Sequence, residues 1–148
     1  MQEYSSPQAV EVEPNAALTD APFARAESTP DVAVFMRRSA DGWEPVTAKE
    51  FADSVRSLAA GLVASGVGAG DRVGLMSKTR YEWTLCDYAI WAAGAVTVPI
   101  YETSSAEQVQ WNLSDSGAVA VIVETTSHQA TFDEVSSGLP DVARSWQI

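Results

Sequence analysis

The sequence predicts an α/β domain with a layered, mostly parallel β-sheet flanked by helices, and with a β-hairpin near its N-terminus. Two apolar runs, residues 95–100 and 118–123, lack polar alternation, as expected for strands covered on both faces. Helical stretches separate these runs from each other and from a strand at residues 72–76, and right-handed crossovers make strands connected in this way parallel. A chain of 148 residues suffices for one such domain.

The first residues precede this pattern. Residues 1–17 are polar and acidic without periodicity, so they are predicted to form a loose N-terminal arm. We therefore expect the α/β domain to occupy residues 18–148. Thr19 or Asp20 is expected to cap a short helix that turns Phe23 inward.

A hairpin is predicted next. Residues 32–36 are strand-like, and Asp41-Gly42 is a dipeptide typical of a tight hairpin turn. Residues 43–46 form the returning strand, which Pro45 confines to an edge because proline cannot donate a ladder hydrogen bond.

Pairs with the spacing of a capping box predict where three helices begin: Thr47 with Glu50, Thr79 with Glu82, and Ser104 with Glu107. The first helix has one apolar face, formed by Phe51, Val55, Leu58, Ala59, Leu62 and Val63. The second, over about residues 80–93, is apolar on most faces and is predicted to lie between layers. Its stripe of Tyr81, Tyr88 and Trp91 is interpreted as core. A weaker helix near residues 127–137 and a strand beginning near Ser145 complete the pattern.

Composition excludes several classes of function. The single cysteine, Cys86, allows neither an internal disulfide nor a cysteine-based metal site, and its apolar neighbours predict a buried thiol. A net charge of −11 argues against nucleic acid and anionic membrane surfaces as ligands. Since the sequence has neither a membrane-spanning run nor a leader, we expect a cytoplasmic protein.

Three glycines invite comparison with a phosphate-binding turn. A phosphate cradle needs a strand, then the turn, then a helix whose N–H groups face the anion. Gly66, Gly68 and Gly70 instead follow a helix and precede a strand, so they are predicted to end that helix and form a loop.

The turns that follow strands, residues 77–79, 101–105 and 124–127, should lie along the edge where open parallel sheets bind ligands. Their Ser and Thr hydroxyls are explained equally by helix capping. His128 has no neighbouring nucleophile or second metal ligand and is predicted to be an exposed helix residue. No residue is predicted to be catalytic, cofactor-binding or metal-ligating.

Residues 47–116 resemble the start of an adenylate-forming (AMP-binding) enzyme. The similarity is carried, in order, by the helix of residues 51–62, Gly-Val-Gly-Ala-Gly-Asp-Arg-Val at 66–73, Glu82-Trp83, and the segments 93–101, 107–113 and 115–118. Residues 98–105, Val-Pro-Ile-Tyr-Glu-Thr-Ser-Ser, are most similar to bacterial long-chain fatty acyl-CoA synthetases. The resemblance extends over nearly all of residues 18–148.

This resemblance implies an incomplete N-terminal part of the adenylate-forming fold. Such enzymes use ATP and magnesium to form an acyl-adenylate and then pass the acyl group to coenzyme A. Their phosphate loop ending in Pro-Lys-Gly and the lysine of their C-terminal lid have no counterpart here and are expected beyond Ile148. The isolated chain is therefore expected to be inactive, with the rest of the parent chain as its partner and Trp83 and Tyr101 as candidates for an acyl-pocket wall.

Two further expectations accompany this hypothesis. An apolar surface left uncovered would produce a homodimer, and the full-length enzyme would be cytoplasmic or peripheral to the membrane. The alternative is a free-standing α/β module that binds a protein or a small ligand without catalysis.

Overall fold

A computed structural model describes residues 4–7 and 9–148. The helices in these residues are α1 Asp20–Ser28, α2 Ala48–Ala64, α3 Tyr81–Ala92, α4 Ala106–Ser116 and α5 Thr126–Asp133. The strands are β1 Ala33–Ser39, β2 Gly42–Thr47, β3 Arg72–Met76, β4 Val96–Ile100, β5 Ala118–Val123 and β6 Arg144–Gln147. A 3-10 turn, Ser136–Gly138, follows α5. The predicted arm, residues 1–17, lies partly outside the described residues, and its described part contains no helix or strand.

Strands β4, β3, β5 and β6, in that order, form one parallel sheet, while β1 and β2 form a separate antiparallel hairpin. The predicted fold class is therefore confirmed. The hairpin turn consists of Ala40 and Asp41, one residue earlier than the predicted Asp41-Gly42, because Gly42 already pairs with Ser39 as the first residue of β2, with a φ of 131°. Parallel strands bring their carboxyl ends to one edge of the sheet, which we call the carboxyl edge, and their beginnings to the opposite amino edge.

Apolar clusters cover both faces of this sheet. On one face α2 and α3 pack through a cluster that includes Leu62, Val73, Leu75, Ile90 and Ile122. On the other face α4 and α5 pack through Met76, Val109, Leu113, Val121, Val123 and Phe132. Gly74 permits the close approach of α4, because a Cβ added there would lie 2.6 Å from Leu113 Cδ2.

The hairpin adds an outer layer on α2 and α3. Its contact is aromatic: the ring of Phe35 lies 4.8 Å from that of Phe51, and Phe51 lies 5.5 Å from Tyr88. Tyr81 joins them at 5.9 Å from Phe35, and Trp91 lies 5.1 Å from Tyr88. The aromatic stripe of α3 is thus packing, as predicted. Phe23 of α1, also predicted to face inward, is half-buried against this cluster.

The capping predictions succeed for one helix and fail for two. Thr47 and Glu50 form the predicted capping box of α2. Thr79 does not cap α3: Arg80 occupies the N-cap position and makes no side-chain cap. The prediction fails because the Glu82 carboxylate accepts a hydrogen bond from Arg80 Nε at 2.6 Å instead of reaching back to Thr79.

The third capping box lies one residue later than predicted. Ser105 and Gln108, not Ser104 and Glu107, make the reciprocal hydrogen bonds of α4. Ser104 is used earlier in the chain, because its N–H donates to the carbonyl of Tyr101 at 3.0 Å and closes a turn. The helix therefore begins after that turn.

The first helix also differs in its cap. Thr19 stands at the N-cap of α1 without a side-chain hydrogen bond. Asp20 Oδ2 instead accepts the N–H of Ala17 at 2.7 Å, so this carboxylate fixes the approach to the helix from inside its first turn.

Two burial predictions are wrong. β4 is an edge strand of the sheet, so Val96 is 50% exposed and Pro99 is exposed, although both faces of this strand were expected to be covered. Val63 of α2 was placed on the apolar face but is 54% exposed. It lies about 100° around the helix from the buried Leu62, at the border of the stripe.

Arginine side chains close the amino edge. Arg72, at the start of β3, donates to the carbonyl oxygens of Ser116 at 2.8 Å, Gly117 at 2.7 Å and Gly70 at 3.1 Å. Arg144, at the start of β6, donates to the carbonyl of Ser65 at the end of α2. Cations therefore satisfy helix C-terminal carbonyls, where the helix dipole favours positive charge.

The glycine-rich segment lies at this same edge. Gly66 has a φ of 99° just after α2, and Gly68 donates its N–H to Asp71 Oδ2 at 2.8 Å. The segment connects the end of α2 to β3. The prediction that it is a helix end and loop is confirmed, since no helix begins after it.

Candidate functional site

The carboxyl edge carries a cavity of about 430 Å³ between the turns that follow β3 and β4. We call it the edge cavity; its lining residues are Ser77, Thr79, Trp83, Pro99, Ile100, Tyr101 and Glu102. The structure thus brings together Trp83 and Tyr101, which lie 18 positions apart in the sequence. Their role as a pocket wall stays a prediction.

The two aromatic side chains occupy different environments. Trp83 projects from the first turn of α3 and is half-buried against the apolar cluster between α2, α3 and the sheet. Tyr101 is the first residue after β4 and is 82% exposed. One side of the cavity is therefore packed against the core, and the other side is open to solvent.

A hydrogen-bond network borders the edge cavity at the end of β5. Glu124, whose side chain is only 11% exposed, accepts the N–H of Lys78 at 2.9 Å and the hydroxyl of Ser77 at 3.3 Å. Its other carboxylate oxygen accepts from Arg80 at 3.1 Å. Arg80 also donates to Glu82 at 2.6 Å. Sequence reasoning missed this network, because a polar residue after a strand gives no sign of its partners.

The protonation states of this network follow from its contacts. Burial alone would raise the pKa of Glu124, but hydrogen bonds from the Lys78 N–H, Arg80 and Ser77 outweigh it and hold that pKa below its usual range. The pKa of Arg80 is raised, mainly because Arg80 donates a hydrogen bond to Glu82. The pair is therefore fully charged at neutral pH.

The charged side chains of this edge are mainly acidic. Arg80 is already paired with two carboxylates, which leaves Lys78 as the remaining cation beside Glu82, Glu102 and Glu124. A triphosphate would meet more negative than positive charge here. In the described part of the chain, no group of three His, Cys, Asp or Glu side chains is placed to hold a metal ion.

A thiol and an imidazole, Cys86 and His128, lie elsewhere. Cys86 is buried, as predicted, and burial raises its pKa to about 11, which keeps the thiol neutral and unreactive near neutral pH. His128 was expected to be exposed but is half-buried on α5, which packs against β5 and β6. Its Nδ1 is buried without a hydrogen-bond partner among the described residues.

Asp87 is a buried acid that the sequence pattern did not reveal. It lies on the side of α3 that faces β4 and is 7% exposed. Burial raises its pKa, and the hydroxyl of Thr97 on β4 acts in the opposite direction. The apolar character of the surrounding helix gave the only sequence signal, that of a core position.

The described residues also form two other concave surfaces. The larger, about 740 Å³, lies between α1, β1 and α2 over Phe35, Phe51 and Tyr88, away from the strand ends. The second, about 350 Å³, is an apolar groove beside β6, which we call the β6 groove. Its apolar lining includes Leu58, Leu62, Leu85, Ile122, Trp146 and Ile148.

An open parallel sheet with a cavity at the carboxyl ends of its strands is the architecture of a ligand-binding α/β domain. The sequence pattern of the family described as AMP-binding enzyme matches residues 23–146. The chain therefore belongs to the AMP-binding enzyme family.

Relatives and solved structures agree with this assignment. The chain is 48% identical over 126 residues to the long-chain-fatty-acid–CoA ligase FadD15 of Mycobacterium tuberculosis, a match to 85% of this chain and 21% of that ligase. This chain thus spans about a fifth of the relative's length. The inhibitor-bound N-terminal domain of FACL13 from the same species superposes with a TM-score of 0.78 and 26% identity, over 88% of this chain and 33% of that one.

A shorter relative also matches. Protein Rv1549 of Mycobacterium tuberculosis is 36% identical over 104 residues, which is 70% of this chain and 57% of that protein. In the described residues, none of the helices is long and apolar enough to cross a membrane.

Proposed function

We propose that this chain is the N-terminal segment of a long-chain fatty-acid–CoA ligase, in which it supplies scaffold and one wall of the acyl pocket. In this proposal residues 18–148 are the α/β portion and residues 1–17 are a loose arm. The observation that supports it is the edge cavity, whose lining includes both Trp83 and Tyr101 at the sheet edge where open sheets bind ligands. The match to a long-chain ligase supports the substrate class.

The chemistry of such a ligase requires groups from outside this chain. The fatty-acid carboxylate attacks ATP and releases pyrophosphate, and the thiol of CoA then displaces AMP from the acyl-adenylate. In this proposal the groups that bind the triphosphate and magnesium lie in the rest of the ligase, and this chain would contribute only apolar contacts that orient the acyl chain. The isolated chain is accordingly expected to lack ATP–pyrophosphate exchange.

The rest of the ligase is the partner in this proposal. Pro99 lies in β4 and removes one donor from that edge strand, which makes β4 a poor place to add a strand. β6, at the other edge, contains no proline and adjoins the β6 groove with its half-buried Trp146. We infer that polypeptide of the same ligase covers the β6 groove, and that the isolated chain forms a homodimer through it.

The cellular location follows from the proposed substrate. The ligase would act in the cytoplasm, and long-chain fatty acids dissolved in a membrane would bring it to the membrane surface. Since the chain carries a net charge of −11, such contact would be peripheral and weak at anionic lipid.

A chimeric enzyme tests the proposal. In FadD15, the matching 126 residues are replaced by the corresponding part of this chain, and acyl-CoA formation is measured with fatty acids of increasing length. We expect the chimera to retain ATP- and CoA-dependent activity, and the isolated chain to show none. A soluble, folded chimera that makes no acyl-CoA with any fatty acid would contradict the proposal.

The shorter relative favours a second candidate, a free-standing binding module. Rv1549 matches over more than half of its length, so related segments also occur outside proteins of ligase size. Sedimentation distinguishes the candidates, because a free-standing module should remain monomeric at high concentration whereas an uncovered β6 groove should produce self-association.

A further inference from the structure

The turn between β3 and α3, residues 77–80, is held differently from the other turns at the carboxyl edge. Helices α4 and α5 each begin at a residue whose hydroxyl caps the helix, Ser105 and Thr125. α3 has no such cap. Its position is fixed instead by a side chain from another strand, Glu124 after β5.

Glu124 is itself firmly placed. Its N–H donates to the carbonyl of Met76 on β3 at 3.0 Å, which continues the pairing of β5 with β3. Both oxygens of its nearly buried carboxylate then bond to the turn: one to the Lys78 N–H and the Ser77 hydroxyl, the other to Arg80. The sheet thus extends its hydrogen bonding into the β3–α3 turn through one side chain.

Arg80 carries the connection on to the helix. It lies between Glu124 and Glu82, and Glu82 stands in the first turn of α3 directly before Trp83. The exposed fractions of the three side chains are 41% for Arg80, 25% for Glu82 and 11% for Glu124. A pair of this kind is less screened than a fully exposed ion pair, because one partner is largely withdrawn from solvent.

The turn and the first residues of α3 form one side of the edge cavity, with Ser77, Thr79 and Trp83 in its lining. We infer that Glu124 and Arg80 are positioning residues, which hold this side of the edge cavity in place and so determine how an acyl chain fits against Trp83. The acyl part of this inference rests on the proposed function; the positioning part does not.

The charge of Glu124 is essential to this role. Glutamine in its place could still accept the Lys78 N–H, but its amide group would not pair with the Arg80 guanidinium. Alanine would remove both contacts and leave the Lys78 N–H without its acceptor. Glu124→Gln therefore removes the contact with Arg80 alone, whereas Glu124→Ala removes the contacts with both Arg80 and the Lys78 N–H.

The test observes the ligand-free protein by 19F NMR after uniform labelling with 5-fluorotryptophan. Each of the five tryptophans gives one resonance, assigned through single Trp→Phe variants. Glu124→Ala should shift and broaden the Trp83 resonance and leave that of Trp43 on the hairpin unchanged. Arg80→Ala should do the same, and the double variant should add nothing further, because the two residues act through one connection.

Amide exchange supplies a second readout. In Glu124→Ala the Lys78 N–H should exchange at least about tenfold faster, as expected when a hydrogen bond to a charged acceptor is lost. Glu124→Gln should keep most of this protection while still displacing Trp83. The matched control is Glu134→Ala, an exposed acid directly after the end of α5, which should change neither quantity.

The outcomes separate this inference from the proposed function. An unchanged Trp83 resonance in folded Glu124→Ala and Arg80→Ala would overturn the positioning role, whether or not fatty acid binds. Titration with dodecanoate then addresses the acyl part: binding that disturbs Trp83 in the parent chain and weakens severalfold in Glu124→Ala supports it. Binding equal in both proteins would overturn it, while no binding in either would contradict the proposed function and leave the positioning result standing.

Discussion

At the two edges of the parallel sheet, side chains of opposite charge bind the backbone at helix ends. At the amino edge, Arg72 and Arg144 donate to backbone carbonyls at the ends of α4 and α2. At the carboxyl edge, the carboxylate of Glu124 accepts from a backbone N–H before α3. Each arrangement places charge where the helix dipole favours it, cations at C-termini and an anion near an N-terminus.

The edges differ in what they leave available. The amino edge uses Arg72 and Arg144 on main-chain carbonyls and Gly66 and Gly117 at helix ends. The carboxyl edge fixes its turn through a side chain and leaves the edge cavity open between Trp83 and Tyr101. We therefore expect substitutions at the amino edge to lower the free energy of unfolding, and substitutions at the carboxyl edge to change the shape of the edge cavity.

The largest effect is expected from Arg72→Met. The substitution keeps much of the apolar stem but removes hydrogen bonds to three carbonyls, two of them partly buried, so the free energy of unfolding should fall by about 3 kcal/mol. Urea unfolding measures the loss. The control is Arg56→Met on the exposed face of α2, expected to cost under about 1 kcal/mol. Equal losses in the two variants would contradict a special role for Arg72.

The next effect concerns the glycine that ends α4. Gly117 has a φ of 63°, and an added Cβ would lie 2.7 Å from the Arg72 guanidinium. Gly117→Ala should therefore lower the free energy of unfolding by about 2 kcal/mol. Gly61→Ala is the matched control, because Gly61 is helical with nothing within 4 Å of its added Cβ, and it should stabilise the chain by about 0.5–1 kcal/mol. A destabilised Gly61→Ala would refute this distinction.

At the carboxyl edge, three hydroxyl residues can be compared directly. Ser105→Ala should cost about 1 kcal/mol because it removes the cap of α4. Ser104→Ala and Thr79→Ala should each stay within about 0.5 kcal/mol, since neither side chain caps a helix. Thermal unfolding of the three variants checks this order. A loss at Thr79 equal to that at Ser105 would restore the capping box that the sequence predicted.

The smallest effect is expected from Asp87, a buried acid on α3 whose pKa is influenced by Thr97 on β4. The folded-state pKa of Asp87 is raised, so its ionised form is disfavoured by folding at neutral pH. Asp87→Asn should raise the free energy of unfolding at pH 7 by about 0.5–1 kcal/mol. The difference should vanish as the pH falls below the ordinary range of aspartate, where the parent side chain is protonated in both states. Unfolding measured between pH 3 and pH 8 tests this, and a pH-independent difference would contradict it.

The sequence predicted the order of elements well because the buried side of each strand or helix determines the spacing of its apolar residues. The apolar run at 118–123 became β5, and Phe51 and Val55 mark the buried side of α2 as expected. The starts of α3 and α4 were less predictable, since several neighbouring residues could stand at the N-cap position. Which of them does so depends on where the preceding turn ends. Ser105, and not Ser104, caps α4 because Ser104 closes the turn that begins at Tyr101.

The candidate site was predictable only in part. The position of Tyr101 after a strand predicted that it lies at the carboxyl edge, as it does, while the role of Trp83 and Tyr101 as an acyl-pocket wall stays a prediction. The partnership of Glu124 with Arg80 joins residues 44 positions apart, so no local pattern contains it. The exposed β4 was missed because an apolar edge strand has the same composition as a central one.

In the proposed ligase segment, the carboxyl edge and not the β6 groove receives the acyl chain. Each surface contains one tryptophan, Trp83 in the edge cavity and Trp146 in the groove. Dodecanoate titrated into the 5-fluorotryptophan-labelled chain should displace the Trp83 resonance saturably, at concentrations that leave Trp146 unchanged. If the Trp146 resonance moves while that of Trp83 stays fixed, the acyl chain binds in the β6 groove, and the proposed role of the edge cavity is wrong.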